Sequence, residues 1–213
     1  MRRSSAVLIG LLLTACSSPP PSNPAVTTVL APDRESGRRL AGKMLTDTQL
    51  MTLGAQPEDS PIPFMRTETT KFIPLETCRP ELSLSTMVNN AIQAAWATPG
   101  QEPMTVNQTV AAYDGIPAAD AVAEIEQALS CGQHETKYGT TKIEGTATLP
   151  PPDSIDRQYA FCDVSLVPGV PGTCYLLMAE GAYATVVTIF DSKSARDQLA
   201  KIAPLVAASL SKA

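Results

Sequence analysis

Hydrophobic and polar positions alternate in several stretches of the chain, and this period of two predicts β-strands. The clearest case is Thr105–Tyr113. Val106, Val110 and Ala112 share one face of it, and its threonines and asparagine share the other. Further strands are predicted where segments are rich in β-branched and aromatic residues. Most of these segments are bounded by Pro or Gly turns, so they are predicted to pair as antiparallel hairpins or to form single strands. They are residues 66–73, 140–149, 157–167, 173–179 and 182–190.

Apolar residues recur three and four positions apart in other segments, as in amphipathic helices. The most regular of these opens at Pro117 and places Val122, Ile125 and Leu129 in one stripe. Further helices are predicted at residues 43–53, from Pro80 to just before Trp96, and from about Ser192 to the end with a kink at Pro204. Helices around meandering strands predict an α+β fold, an antiparallel β-sheet flanked by helices.

The first 16 residues have the zones of an export signal. Arg2 and Arg3 precede an apolar run of about 8 residues, which is too short to cross a bilayer as a helix. Leu-Thr-Ala-Cys at residues 13–16 then resembles the lipobox of bacterial lipoproteins. We expect residues 1–15 to be a removed signal peptide and Cys16 to carry a thioether-linked lipid. The alternative is an ordinary signal peptide in which the cysteine is incidental.

Residues 16–39 are predicted to be a lipidated, disordered tether, because their Pro- and Ser-rich composition has no amphipathic period. Residues 40–213 are predicted to form a single α+β domain. The lipid at Cys16 would hold this domain on the extracytoplasmic face of the cell membrane. Without Arg2 and Arg3 the chain has 14 basic and 21 acidic side chains, a net charge of −7. This acidic balance disfavours nucleic acid and anionic lipid surfaces as non-specific partners.

Four cysteines follow the tether, and an even number in an exported chain predicts two disulfides with three possible connectivities. We favour Cys78–Cys131 and Cys162–Cys174, because the second pair flanks a Pro- and Gly-rich turn. A zinc site is disfavoured, since the sequence contains no Cys-x-x-Cys and its single histidine is His134. No cofactor is expected.

Catalytic patterns are largely missing from the sequence. A single histidine makes Ser–His–Asp and Cys–His arrangements implausible, and no phosphate-binding glycine loop follows a strand. The 21 carboxylates leave room for an acid pair. Trp96, Tyr113 and Met178 are candidate ligand-binding residues in the wall of a cleft, although buried aromatic residues more often belong to the core.

The order of features resembles the mycobacterial lipoproteins that share the extracellular sensor-type domain of the PknH receptor kinase. After the lipobox and tether come Met-Leu-Thr-Asp-Thr-Gln-Leu at residues 44–50 and a cysteine before Arg79-Pro80. Next come a single tryptophan, a strand ending at Tyr113 and a helix ending at Cys131. The last part of the chain is rich in predicted strands and contains two cysteines. The resemblance implies an antiparallel sheet flanked by helices, two disulfides, a ligand-binding cleft and no catalytic residues.

These observations lead to one main functional hypothesis and two alternatives. The main hypothesis is a non-catalytic, sensor-like domain of a cell-envelope lipoprotein that binds a small apolar or lipid-like ligand or an envelope protein. One alternative is an envelope hydrolase or lipid-handling enzyme that uses carboxylates. The other is a structural adaptor whose acidic surface meets a basic partner protein.

Overall fold

Nine antiparallel strands in one sheet form the centre of the described part of the chain. The computed structural model describes residues 34–57, 62–64, 82–98, 104–136, 139–146, 149–150, 152–166, 172–190 and 194–212, all within one compact unit, Ala31–Ala213. The strands are β1 (Gln56–Pro57), β2 (Ile62–Phe64), β3 (Val88–Ala97), β4 (Thr105–Tyr113), β5 (Gln133–Thr136), β6 (Gly139–Thr146), β7 (Arg157–Ser165), β8 (Thr173–Glu180) and β9 (Tyr183–Phe190). Their order is β1-β3-β4-β9-β8-β7-β6-β5, and β2 also pairs with β3.

Both faces of the sheet carry a hydrophobic cluster, so its central strands have few exposed positions. The helices are α1 (Arg34–Gly42), α2 (Asp47–Met51), α3 (Ala118–Ala128) and α4 (Ala195–Leu210). Face one packs against α1, α2 and α4, and face two packs against α3. Burial on both faces explains why β9 is buried at six consecutive positions, where a one-sided sheet would alternate.

Lys43, directly after α1, contacts the C-terminal end of the described chain. The Lys43 ammonium donates hydrogen bonds to the backbone oxygens of Leu210, at 2.9 Å, and Lys212, at 2.7 Å. The same nitrogen lies 4.3 Å from the centroid of the Tyr183 ring. A cation at the C-terminal end of α4 satisfies unpaired carbonyls and complements the helix dipole. We call this arrangement the Lys43 clasp.

A buried polar chain fixes the connection between α1 and α2 above face one. Gln108 is fully buried in the centre of β4. Its side-chain oxygen accepts a hydrogen bond from Leu45 N at 2.8 Å, and its amide nitrogen donates to Thr185 Oγ1 at 3.1 Å. The Thr185 hydroxyl in turn donates to the backbone oxygen of Thr109 at 3.1 Å. Each polar group in this chain therefore has a partner, as burial requires.

The predicted antiparallel α+β architecture is confirmed, and so are the strands β4, β6, β7, β8 and β9. The helix opening at Pro117 is α3, and the predicted C-terminal helix is α4, which continues through Pro204. Within the predicted helix at residues 43–53 the structure has α2, which begins at the N-cap Thr46. The predicted strand at residues 66–73 lies outside the described residues.

The predicted helix between Pro80 and Trp96 is wrong. A short 3₁₀ helix at Leu84–Met87 is followed directly by β3. Ile92, Ala94 and Trp96 alternate along face one. The predicted helix relied on the helical spacing of Leu84, Val88 and the adjacent pair Ala91 and Ile92. In β3 these two residues are buried on opposite faces, which a sheet covered on both sides permits.

The N-terminal helix α1 begins at Arg34, six residues before the predicted start of the domain. Leu40, its anchor, is only 1% exposed and belongs to the face-one cluster. The polar and glycine residues around Leu40 hid this helix in the sequence, because one buried side chain creates no visible period.

The disulfide Cys162–Cys174 is confirmed. It joins directly opposed residues of β7 and β8, whose Cα atoms are 4.0 Å apart. Cys131 is also disulfide-bonded. Cys78 lies outside the described residues, so the pairing Cys78–Cys131 stays a prediction. Cys16 and the signal peptide also lie outside them.

Candidate functional site

Helix α3 covers only part of face two. It starts near the β8–β9 turn, where Ala118 N donates to Gly181 O, and ends toward β6, where Ile143 N donates to Gly132 O. Beneath it lie Val186, Leu177, Tyr159 and other apolar residues of the face-two cluster. On this face, the start of β4 and the end of β9 lie side by side and carry mainly polar side chains. This end of the two strands is the candidate site.

The strand register places five polar side chains next to one another at this end. Asn107 lies directly opposite Thr188, and Thr105 and Thr173 both lie opposite Phe190. Side chains that face each other across antiparallel strands have Cβ atoms roughly 5 Å apart. Together these residues form one surface, which we call the threonine floor. Its members are Thr105, Asn107, Thr109, Thr173 and Thr188.

Two floor residues are nearly buried and yet have no hydrogen-bond partner for their hydroxyls. Thr188 is 5% exposed and Thr109 is 9% exposed. In the part of the chain that the structure describes, neither side-chain oxygen makes a protein hydrogen bond. A hydroxyl without a partner among the described residues has its hydrogen-bonding capacity left for a ligand atom.

Aromatic rings border the threonine floor. Tyr175 lies opposite Thr188 and is half-buried, and Phe190 is 37% exposed. The Tyr175 ring stacks on the Phe161 ring, with 4.7 Å between the centroids. Phe161 belongs to the cluster beneath α3, so this contact fixes the orientation of the Tyr175 ring. Exposed aromatic surface beside hydroxyls and an amide provides both apolar contact and directional hydrogen bonds.

The described residues of this surface include a single carboxylate, that of Asp163. It lies opposite Thr173, and its Oδ1 accepts a hydrogen bond from Thr173 N at 2.9 Å. Glycoside-type chemistry requires two carboxylates roughly 5–10 Å apart on either side of the bond to be broken. The threonine floor and its border therefore provide hydrogen bonds and ring contacts, but not an acid pair.

The three predicted wall residues lie in the core, in two separate clusters. Trp96 is 2% exposed on face one, where its ring nitrogen donates to Asp47 Oδ1 at 2.9 Å. Met178 belongs to the same cluster, whereas Tyr113 lies in the cluster on face two. The structure thus does not place the three side chains on one wall, and their ligand role stays a prediction.

Tyr113 is held as a neutral phenol. Burial, with a smaller contribution from the nearby Glu124 charge, raises the pKa of Tyr113 far above its usual value. The Glu124 carboxylate accepts hydrogen bonds from the backbone nitrogens of Ser83 and Leu84, at 2.9 and 3.0 Å. These contacts give Glu124 the structural role of holding the 3₁₀ helix beside α3.

The sequence did not single out the threonine floor as a site. It showed the polar face of β4, but the register between β4, β9 and β8 brings Thr188 and Thr173 beside that face. The sequence did contain one signal of the site: Thr188 is a polar residue within the otherwise apolar second half of β9. Thr185 and Thr188 are three residues apart, so they point to opposite faces.

Two further features were not found among the described residues. These residues contain no group of three His, Cys, Asp or Glu side chains placed to hold a metal ion. None of their helices has the length and apolar content needed to span a bilayer.

Comparison with known proteins finds similarity at the level of structure. No protein-family model matches the chain, and no significant match is found among curated proteins. The crystal structure of the extracellular domain of PknH from Mycobacterium tuberculosis superposes with a TM-score of 0.52 and 18% sequence identity. The match covers 79% of this chain and 95% of that domain. At this identity the likeness is one of fold, and the expected PknH-like fold is confirmed.

Proposed function

We propose that this protein is a non-catalytic binding domain of the cell envelope that recognises a neutral, hydroxyl-rich ligand on the threonine floor. The observation that carries the proposal is the pair of nearly buried hydroxyls, on Thr109 and Thr188, for which the described part of the chain supplies no hydrogen-bond partner. Threonine hydroxyls and the Asn107 amide both donate and accept hydrogen bonds, as sugar hydroxyls do. Tyr175 and Phe190 add ring surface for the apolar faces of such a ligand.

Among the described residues, no basic side chain lies on the threonine floor or its border, and this favours a neutral ligand over an anionic one. Asp163 is the nearest charged group given by the register, and it is engaged with Thr173 N. An anionic ligand would meet this carboxylate without a compensating cation. The two alternatives from the sequence, a carboxylate-based enzyme and an acidic adaptor, receive no comparable support from these residues.

Replacing Thr188 with Val tests the site. Neutral di- and trisaccharides, titrated calorimetrically, are expected to bind the native protein saturably, and Thr188→Val should weaken binding about two- to tenfold. This range corresponds to the loss of one neutral hydrogen bond of about 0.5–1.5 kcal/mol. Valine keeps the side-chain shape, so the fold and thermal stability should stay close to native.

Thr185→Val is the matched control, because Thr185 lies on the same strand but on face one. It should lower stability through its lost bonds to Gln108 and Thr109 O, yet leave saccharide affinity unchanged. If no saccharide binds the native protein, or if both variants bind equally well, the proposed ligand class is wrong.

We further propose that Cys16 carries the lipid that places this domain on the extracytoplasmic side of the membrane. The lipobox-like residues 13–16 support this, together with the extracellular domain whose fold the chain resembles. Metabolic labelling with an alkyne-tagged palmitate should mark the native protein and not Cys16→Ala, while the neighbouring Ser17→Ala remains labelled. Equal labelling of Cys16→Ala would show that the acyl group is elsewhere.

A further inference from the structure

Strand β3 borders the threonine floor on its β4 side. Three residues of β3 lie directly opposite the three floor residues of β4, in the pairs Gln93–Thr109, Ala95–Asn107 and Ala97–Thr105. Side chains opposed in this way have Cβ atoms roughly 5 Å apart, so these β3 positions extend the same surface. We call Gln93, Ala95 and Ala97 the β3 margin.

The β3 margin is more open than the floor beside it. Gln93 is exposed, and Ala95 and Ala97 are half-buried. By contrast, Thr109 is 9% exposed and Thr188 is 5% exposed. Each alanine side chain is a single methyl group, which occupies little of the space above the strand. Exposure on this face of the sheet therefore increases from β9 toward β3.

Packed side chains bound the floor on two other sides. Toward α3, the next face-two residues of β4 and β9 are Ala111 and Val186, which are buried in the cluster beneath the helix. Toward β7, Thr188 lies opposite Tyr175, whose ring stacks on the buried Phe161 ring. A ligand bound at Thr188 meets packed side chains on both of these sides. On the β3 side, the exposed Gln93 amide offers further donors and an acceptor.

We infer that the ligand of the threonine floor is a linear neutral glycan, bound by its terminal sugar unit. The inference rests on the proposed function, since it divides that same site into two subsites. The terminal unit binds the hydroxyls of Thr109 and Thr188, and the second unit lies over Ala95 and contacts the Gln93 amide. From β9 to β3 the surface crosses two strand spacings, about 10 Å, which is longer than one sugar ring. Internal segments of a glycan, and cyclic glycans, have no terminal unit to place between the packed sides.

NMR titration of the native protein with three related saccharides tests this arrangement. The probes are methyl α-glucoside, its linear α-1,4-linked dimer maltose, and the cyclic hexamer of the same units. Maltose should bind about two- to tenfold more tightly than methyl α-glucoside, which is the effect of one further neutral hydrogen bond. The cyclic hexamer should bind more weakly than maltose, although it contains the same linkage.

Replacing Gln93 with Ala identifies the second subsite. Gln93→Ala should lower the affinity for maltose to that for methyl α-glucoside and leave the affinity for methyl α-glucoside unchanged. Thr188→Val should instead weaken the binding of both saccharides by the same factor. Because Gln93 is exposed, its replacement should leave stability close to native. Gln127→Ala replaces an exposed glutamine on α3 and is the matched control, which should change neither affinity.

The outcomes separate this inference from the proposed function. If Gln93→Ala weakens maltose and methyl α-glucoside equally, or if the cyclic hexamer binds as tightly as maltose, end-on binding over β3 is wrong and the saccharide site stands. If none of the three saccharides binds the native protein, the proposed function fails and the inference fails with it.

Discussion

Removing the Cys162–Cys174 disulfide by a Cys162→Ala/Cys174→Ala double substitution is expected to lower the free energy of unfolding by about 3 kcal/mol. The two cysteines are 12 residues apart, and a crosslink over a loop of this length restricts the unfolded chain by about that amount. The bond also ties β7 to β8 at directly opposed positions. Since a slip of one residue would exchange the two faces of β7, the disulfide fixes which side chains face α3.

Urea unfolding followed by tryptophan fluorescence measures the effect. The double variant should then be compared with and without reductant, because Cys131 is disulfide-bonded too. Any further loss of unfolding free energy on reduction comes from the disulfide of Cys131. The contributions of the two disulfides to stability are thereby measured separately. A loss of less than about 1 kcal/mol in the double variant would mean that the turn and the strand pairing hold the hairpin without the crosslink.

Replacing Gln108 with Leu is expected to lower the free energy of unfolding by about 1–3 kcal/mol, although leucine is more hydrophobic and similar in size. The buried Leu45 N–H would lose its acceptor, and a buried unpaired donor costs about that much. The connection between α1 and α2 should loosen first, and hydrogen exchange at Leu45 should report it directly.

Gln108→Glu is a useful companion variant, since it keeps an acceptor for Leu45 N while placing a carboxyl in the core. It should retain slow exchange at Leu45 while still losing stability through the burial of an ionisable group. If Gln108→Leu unfolds at the native urea concentration and Leu45 exchanges as slowly as before, the buried chain does not hold the connection.

The strands of the second half of the chain could be predicted because each carries a consistent local pattern. In β7, β8 and β9, β-branched and aromatic residues lie between turns, and neighbours in sequence are neighbours in the sheet. Local propensity and long-range pairing therefore agree. The Cys162–Cys174 bond could be predicted for the same reason, as its residues flank a single turn.

The interpretation of β3 failed where burial on both faces removed the alternation. Its residues Ala91 and Ile92 are both buried, but against different clusters, and a sequence window cannot distinguish this from one apolar side of a helix. Helix α1 was missed for the opposite reason. Among its residues whose burial is described, Leu40 is the deeply buried one, and the position of the helix depends on packing against distant strands.

The candidate site depends on register, which the sequence does not show. Thr105, Asn107 and Thr109 were visible as the polar side of a strand, and such a side normally faces water. Their proximity to Thr188 and Tyr175 follows from pairing across β9 and β8. The candidate residues Trp96 and Met178 were chosen for their chemical type, which is equally suited to a core, and the structure places them there.

The Lys43 clasp also has a mechanical consequence. Lys43 follows α1 and donates hydrogen bonds to carbonyls at the end of α4, so the C-terminal ends of the two helices are fastened together. A pull arriving from the N-terminal side would load α1 and, through the Lys43 ammonium, the end of α4. Tension would then detach a peripheral helix pair first and leave the sheet, with its surface of hydroxyls, intact.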